Sequence, residues 1–380
     1  MKNDYDKLLG LRHWLHAHPE ISRQEVKTAA HLRQFLQTEA PPDRIIPLAG
    51  AGFAAVYDGA QPGKTILIRC ELDALPIHEV NDALAHRSIF DGVGHKCGHD
   101  GHMTILAGVA QRLVARPAKG RVVLLFQPDE ETGSGARQCL AHENFQQITP
   151  DFVFALHNLP GFALGAVICR VGTFAAQVKY AAVTFTGKEA HSAQPETGVS
   201  PAVALAELTL KAREIQAKYD SSDSYALLVP VYGQMGVQAS GVAPAQGQAH
   251  FTLRAPDGFT VEAIWDDLTR AAQVFATAYG LKVAFEIKED FTATVNGQAG
   301  FDMIEQAAGA AGLGFGEIDH PFRWGEDFGA LTKRFEGGMF GLGAGEKQPA
   351  LHTADYDFPD GLLAPGIAMF AALIETALAR

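Results

Sequence analysis

The 380-residue sequence predicts an α/β fold: a mainly parallel-sheet domain interrupted by an inserted ferredoxin-like α+β domain. Three observations predict it. Short, continuously apolar β-rich runs alternate with helical patterns in the first part of the chain, as strands buried on both faces of a parallel sheet do. Between residues 177 and 289 the order changes to β-α-β-β-α-β, the ferredoxin-like arrangement. From residue 290 the helix and strand alternation returns, and the chain is too long for one typical core. Residues 1–176 and 290–380 are therefore assigned to one domain and 177–289 to a smaller inserted lid domain.

Taken in order, "LLGLRHWLHAHPEISRQEVKTAAHLRQFL" is a helical pattern broken at Pro19, with Ser22 as N-cap and Glu25 completing a capping box. The runs "TILIR" (65–69), "RVVLLF" (121–126) and "DFVFAL" (151–156) are strands, and "MTILAGVAQRLV" is a helix between the first two. In the insertion, "QVKYAAVTFTG", "YALLVPVYGQMG", "GQAHFTLRA" and "LKVAFEIKE" are strands, and "SPAVALAELTLKAREIQAKY" and "TVEAIWDDLTRAAQVFATAYG" are helices. The second helix puts Val261, Ile264, Leu268, Ala272, Phe275 and Tyr279 on one face and Asp266, Asp267 and Arg270 opposite, so it covers one side of a sheet. Near the C-terminus "MFGLG" (339–343) is a strand. The run "GLLAPGIAMFAALI" is too short to span a bilayer and contains Pro365, which favours a buried terminal helix.

A formal charge of -12 argues against the basic surface that nucleic acid requires, which leaves a small molecule as the expected partner. The first residues lack the apolar core and cleavage site of a secretory signal, and no membrane association is expected. The cysteines Cys70, Cys97, Cys139 and Cys169 show no paired spacing, as reduced thiols in the cytoplasm would not.

The unusual polar residues gather at the carboxyl ends of the expected parallel strands, where open α/β sheets place their ligand sites. Asp73 follows "TILIR", Glu130 and Glu131 follow "RVVLLF", His157 ends "DFVFAL" and His352 follows "MFGLG". The loop "GHKCGHDGHM" (94–103) precedes a helix and can reach the same edge. Cys97 and His99, two apart in an extended loop, point to one side. Thiolate with imidazole suits zinc better than magnesium or calcium. With Glu131, His157 and His352 the donors number more than one catalytic zinc uses, so two divalent ions, roughly 3.5 to 4 Å apart, are the economical reading. A mixed site also admits manganese, cobalt or nickel.

Adjacent residues of extended chain point to opposite sides, so Glu131 is assigned to metal and Glu130 to the water as general base. Asp100 and Asp73 are assigned to orienting ligand histidines through their second nitrogen, and His95 and His102 to supporting or helix-end positions. His191, on a loop before a helix, can donate to a developing oxyanion, and Arg254 suits bidentate capture of a substrate carboxylate. "ETGSGARQ" fails as a dinucleotide loop, because Gln138 stands where the third glycine belongs.

The segments "RHWLHAHPEIS", "RCELDALPIHE", "GVGHKCGHDGHM", "FQPDEETGSGA", "FALHNLPG", "GKEAHSAQP", "RWGEDFG" and "LHTADYDFP" span nearly the whole chain. In these segments the chain resembles the dinuclear-metal amidohydrolases of aminoacylase, hippurate hydrolase and auxin-conjugate hydrolase type, within the carboxypeptidase-like metallopeptidase group. The resemblance implies metal ligation by Cys97, His99, Glu131, His157 and His352, with Glu130 as base. It also implies a His191 that reaches an active site, in its own or a partner subunit, and homodimers formed through the inserted domain. Glu326 and Asp327 match an acidic segment with a supporting role. The family's usual Asp-x-Asp and Ala-Glu-Glu-Gly stand here as Glu71-x-Asp73 and Asp129-Glu130-Glu131-Thr132, which changes pocket charge. The expected activity is metal-dependent hydrolysis of N-acyl amino acids to a carboxylic acid and an amino acid. The alternatives are a dipeptidase or carboxypeptidase of the same fold, or a noncatalytic metal- or ligand-binding relative.

Overall fold

The computed structural model describes residues 2–221 and 225–380. The chain divides into two compact units, one of Met1–Phe174, Thr294–Pro321 and Glu326–Arg380, the other of Ala175–Ala293 and Phe322–Gly325. The short return of Phe322–Gly325 to the second unit has no signal in the hydrophobic pattern; it pairs in parallel with Ala175 and Ala176.

The first unit is built on an eight-stranded sheet in the order Arg44–Pro47, Phe53–Asp58, Lys119–Gln127, Gln61–Glu71, Phe152–Pro160, Glu336–Gly345, Val167–Cys169, Phe315–Glu317. Its four central strands run parallel: Leu67 lies opposite Val123 and Val153, and Phe154 opposite Ile68 and Gly338. Their continuous apolar sequence has a direct cause, since Ile66, Leu67, Ile68 and the run Val122–Phe126 are wholly buried by layers on both faces. The outer strands Arg44–Pro47 and Phe53–Asp58 pair antiparallel. The C-terminal helix Leu363–Ala379 runs further than its most apolar stretch suggests. With the preceding turn, Asp360–Ala379 is long and apolar enough to cross a membrane by length and composition. Here it buries Ile367, Met369, Phe370, Leu373 and Ile374 in the core, packed on the helices His99–Arg112 and Gln298–Ala310.

The expected capping box is absent. The helix Val26–Glu39 starts after Glu25, and its Thr28 amide is capped by Glu20 Oε2 at 2.8 Å. Ser22 and Glu25 turn their polar atoms elsewhere.

The second unit has the antiparallel strand order Lys282–Phe291, Gly172–Thr186, Gln246–Ala255, Leu227–Met235. The helices Ala202–Tyr219 and Gly258–Tyr279 pack on each other and on this sheet. Asp257 caps the second helix through the Thr260 amide at 2.8 Å, and Gly280, left-handed at φ +66, ends it. Val261, Ile264, Leu268 and Ala272 are buried in this unit's core, with Phe275 and Tyr279 packed against it.

Candidate metal centre

Gly98 decides how the first two donors meet. It is left-handed at φ +93 and stands at the N-cap of the helix His99–Arg112. Cys97 lies just before this turn and His99 is the first helical residue, and a left-handed turn, not an extended loop, brings them together. A Cβ at Gly98 would lie 2.4 Å from Asn158 Nδ2, so only glycine fits.

The donor atoms of Cys97, His99 and His157 all lie within 4.8 Å of one another, as do those of Cys97, Glu131 and His352, and those of His99, Glu130 and Glu131. Cys97 Sγ is 3.4 Å from His157 Nε2, His99 Nε2 is 3.9 Å from Glu131 Oε1, and His352 Nε2 is 3.6 Å from the same oxygen. The other nitrogens are fixed by hydrogen bonds: His157 Nδ1 donates to the Asn158 carbonyl at 2.9 Å, and His99 Nδ1 to the Asp73 carbonyl at 2.8 Å. Asp73 Oδ1 lies 3.3 Å from His99 Nδ1. His352 has a left-handed backbone, φ +62, and its side chain is half exposed.

These donors fit a cation. His99 Nε2 and Glu131 Oε1 are buried without a hydrogen-bond partner, although buried polar atoms are nearly always satisfied. These two unsatisfied atoms face one another across the cluster, and sulfur, imidazole and carboxylate make a transition-metal donor set. Without a positive charge there, burial, reinforced by Glu131 and Glu130, pushes the Cys97 thiol well above its ordinary range. Burial also pushes Glu131 up to about 7, against the pull of His99. For His99, burial opposes protonation but is outweighed by Asp73, Glu71 and Glu131, which hold it up at about 10. Burial holds His157 down at about 3 and His352 at about 4.

Glu130 faces a second layer of charge. The carboxylates of Glu130, Glu326 and Asp327 cluster, and the Asp327 amide points at Glu130 Oε1 at 3.4 Å. Burial raises the Glu130 carboxyl well above its ordinary range, and Glu326, Glu131 and Asp327 raise it further. The counter-charge is Arg69, wholly buried in the parallel strand, 2.9 Å from Glu326 Oε1 and 2.6 Å from Asp327 Oδ1, and paired with Glu71. Glu71 in turn accepts from His102 Nδ1 at 2.7 Å, so His102 is braced across the sheet end rather than capping its helix. Sequence reasoning overlooked Arg69. The available signal was an arginine closing an otherwise apolar parallel strand, "TILIR", where a charge has to be buried and paired.

The role expected of Asp100 is corrected. Its carboxylate accepts from His16 Nδ1 at 2.8 Å and lies 3.3 Å from Arg12 Nε, so it orients no ligand histidine. His16 continues to Glu79 at 3.1 Å, and Lys96 Nζ reaches Glu79 at 2.7 Å, a buried ionic network flanking the donor loop. The cause is the helix itself: Asp100 follows His99 by a rotation of about 100° and faces Arg12 and His16 of the first helix, Lys2–Ala17, instead. Asp73, in contrast, touches both His99 and the Glu131 amide, the latter at 2.9 Å.

His191 and Arg254 belong to the second unit and are not part of this cluster. His191 is exposed in a two-residue strand paired with Val242–Ala243, and its Nδ1 accepts from the Ala193 amide at 3.0 Å. Arg254 is half-buried and donates to the Arg323 carbonyl at 2.8 Å.

Fold and site together define a two-unit α/β protein with a thiolate, imidazole and carboxylate cation centre at the carboxyl edge of a parallel sheet. Residues 67–376 match Peptidase family M20/M25/M40, and the chain belongs to that family. It is 28% identical over 345 residues to an N-acetyldiaminopimelate deacetylase of Oceanobacillus iheyensis, covering 90% of this chain and 92% of that one. It is 29% identical over 353 residues to an N-acetylcysteine deacetylase of Bacillus subtilis, covering 92% and 91%. The crystal structure of the Bacillus subtilis YXEP protein, described as a dinuclear metal binding peptidase from the M20 family, superimposes with a TM-score of 0.82 at 26% identity over 100% of this chain and 99% of that one. The chain is accordingly a metal-dependent amidohydrolase with two divalent ions.

Proposed function

We propose that the protein hydrolyses the amide of N-acyl amino acids, with a small acyl group, to a carboxylic acid and a free amino acid. The observation that carries this reading is the set of overlapping donor clusters Cys97–His99–His157, Cys97–Glu131–His352 and His99–Glu130–Glu131, in which we take Glu130 as the base and the other five as ligands. The deacetylase relatives support a small acyl group and an amino acid as the two halves of the substrate.

Cys97, His99, Glu131, His157 and His352 hold the ions, and zinc is the metal that thiolate and imidazole favour. Bound divalent ions would polarise the acyl carbonyl and acidify water at the site. Glu130 takes a proton from that water as its oxygen joins the acyl carbon, then returns it to the amide nitrogen as the C–N bond breaks. Asp327 helps to hold Glu130 through its amide, and Arg69 keeps the acidic wall from carrying uncompensated charge. His191 donates to the developing oxyanion and Arg254 receives the substrate carboxylate.

The same proposal takes the protein to be a cytoplasmic homodimer. All four cysteines are unpaired and buried, in keeping with a reducing compartment. The strand Leu227–Met235 ends its sheet with Val229, Val231, Tyr232 and Met235 exposed, while the opposite edge carries Lys282, Glu286 and Lys288. An apolar open edge invites antiparallel pairing with its own copy.

The test is a panel of N-acetyl and N-benzoyl amino acids beside dipeptides, assayed with chelated protein and with protein reconstituted with zinc, manganese, cobalt or nickel. Turnover of acylated amino acids that vanishes on chelation and returns with metal is expected. Faster turnover of dipeptides would move the assignment to a peptidase.

A further inference from the structure

The segment between the helices Lys2–Ala17 and Val26–Glu39, residues 18–25, does more than join and cap them. Its backbone is docked on the loop after the central strand: Ile21 bridges Ala74 in parallel, and the Ala74 amide donates to the Glu20 carbonyl at 2.8 Å. Its side chains then reach towards the metal centre. Ser22 Oγ donates to Asp73 Oδ2 at 2.8 Å, the same oxygen that accepts the Glu131 amide. Glu25, 1% exposed, accepts the Asp129 amide on Oε1 at 2.8 Å. The two residues that would have made a capping box are both diverted, which leaves the cap of the next helix to Glu20.

Asp129 is where the diversion converges. Among the described residues only Arg23 (φ +71), Asp129 (φ +58) and His352 (φ +62) are non-glycine residues with a left-handed backbone. Such a conformation is strained and persists only where the surroundings hold it. Asp129 is held on every side. Its carboxylate accepts from Thr132 Oγ1 at 2.6 Å, Ser134 Oγ at 2.5 Å, Gln138 Nε2 at 2.9 Å and Arg23 Nε at 3.1 Å. Its carbonyl accepts the Gly135 amide at 3.0 Å, where a Cβ would come within 1.8 Å of the Pro128 carbonyl oxygen. The residues that leave this turn are Glu130 and Glu131.

We propose that Glu25 and Asp129 are positioning residues that form a latch: Glu25 grips the Asp129 amide, the caged Asp129 carboxylate locks the left-handed turn, and that turn aims Glu130 and Glu131. The inference rests on the functional reading above for the roles of those two carboxylates. Neither latch residue is among the clustered donors. Their leverage is geometric, because rotating the peptide at Asp129 swings both following side chains, and a displacement of about 1 Å in a catalytic site costs about 100-fold in rate.

The experiment compares Glu25→Ala, Glu25→Gln and Asp129→Gly with the wild type, reading kcat and KM on an N-acetyl amino acid, zinc affinity of the metal-free protein by calorimetry, and thermal midpoint. Glycine at position 129 accepts the left-handed backbone but loses the cage, and glutamine at position 25 keeps an oxygen for the Asp129 amide. Glu25→Ala and Asp129→Gly are expected to lose about 10- to 100-fold in kcat with KM changed less than about threefold, and to bind zinc about tenfold more weakly. Glu25→Gln is expected to recover most of both. Wild-type kcat and zinc affinity in the alanine and glycine variants would overturn the latch, as would a glutamine variant no better than alanine. Should Glu25→Ala not fold, Arg23→Ala and Ser134→Ala each remove one cage donor, and wild-type kcat and zinc affinity in both would equally overturn it. Failure of the wild type to hydrolyse any acylated amino acid would count against the functional reading, and the zinc affinities would still decide the latch.

Discussion

Replacing Arg69 with methionine removes the one guanidinium that faces Glu71, Glu326 and Asp327, while leaving an unbranched side chain in the strand. Arg69 is wholly buried, so water cannot take over its role, and Gln127, which accepts from its Nε at 2.9 Å, also loses a donor. Breaking a buried pair from one side typically costs about 3–5 kcal/mol, because the partner charge is left uncompensated. With a drop of about 2–4 °C per kcal/mol in a unit of this size, the midpoint falls by about 6–20 °C. The sign of the pH dependence follows from Glu71. Burial would raise it, but Arg69 and His102 outweigh burial and hold it well below the usual carboxylate range. Its contribution is therefore present above the unfolded carboxylate pKa and is lost as pH falls. In Arg69→Met the carboxylates can relieve the imbalance by taking up protons, so the stability gap to the wild type should narrow between pH 8 and pH 5. Urea denaturation of chelated protein at both pH values measures it, keeping ion binding out of the comparison. A loss below about 1 kcal/mol, the range of an exposed ion pair, or a gap that stays constant with pH, would refute the claim that Arg69 neutralises this wall.

Glu130→Gln should retain both ions while kcat falls about 100- to 10,000-fold, the usual contribution of a general acid or base; elemental analysis beside turnover reads both, and a near-normal rate would remove Glu130 from the chemistry. His16 is held up at about 9, since Asp100 and Glu79 outweigh the opposing effect of burial. Its stabilisation is thus complete below its unfolded value near 6.5 and fades as pH rises through 9. The stability difference between wild type and His16→Gln should shrink from pH 6.5 to pH 9.5, and a difference that grows would show that the network does not depend on a charged His16.

What could be read from the chain alone divides along a physical line. The parallel strands and the clustering of Cys97, His99, Glu131, His157 and His352 were legible because each leaves a local mark: continuous apolar runs for strands buried on both faces, and metal-loving side chains at the ends of those runs. The supports were not, because a hydrogen bond between distant residues has no periodicity. Asp100 was read as a partner for a ligand histidine from its place in "CGHDGH", yet one step along a helix turns it to Arg12 and His16. Ser22 and Glu25 show the same ambiguity more sharply. Their spacing satisfies a local rule for starting a helix, and nothing within that window records that Asp73 and Asp129 compete for the same polar atoms. The competition is resolved in favour of the distant partners because the Thr28 amide finds its cap in the neighbouring Glu20 carboxylate, which leaves Glu25 to accept from the buried Asp129 amide. Local rules fail here at the point where the fold holds left-handed Asp129 beside Glu130 and Glu131. That failure distinguishes a segment recruited to a site from one that only begins a helix.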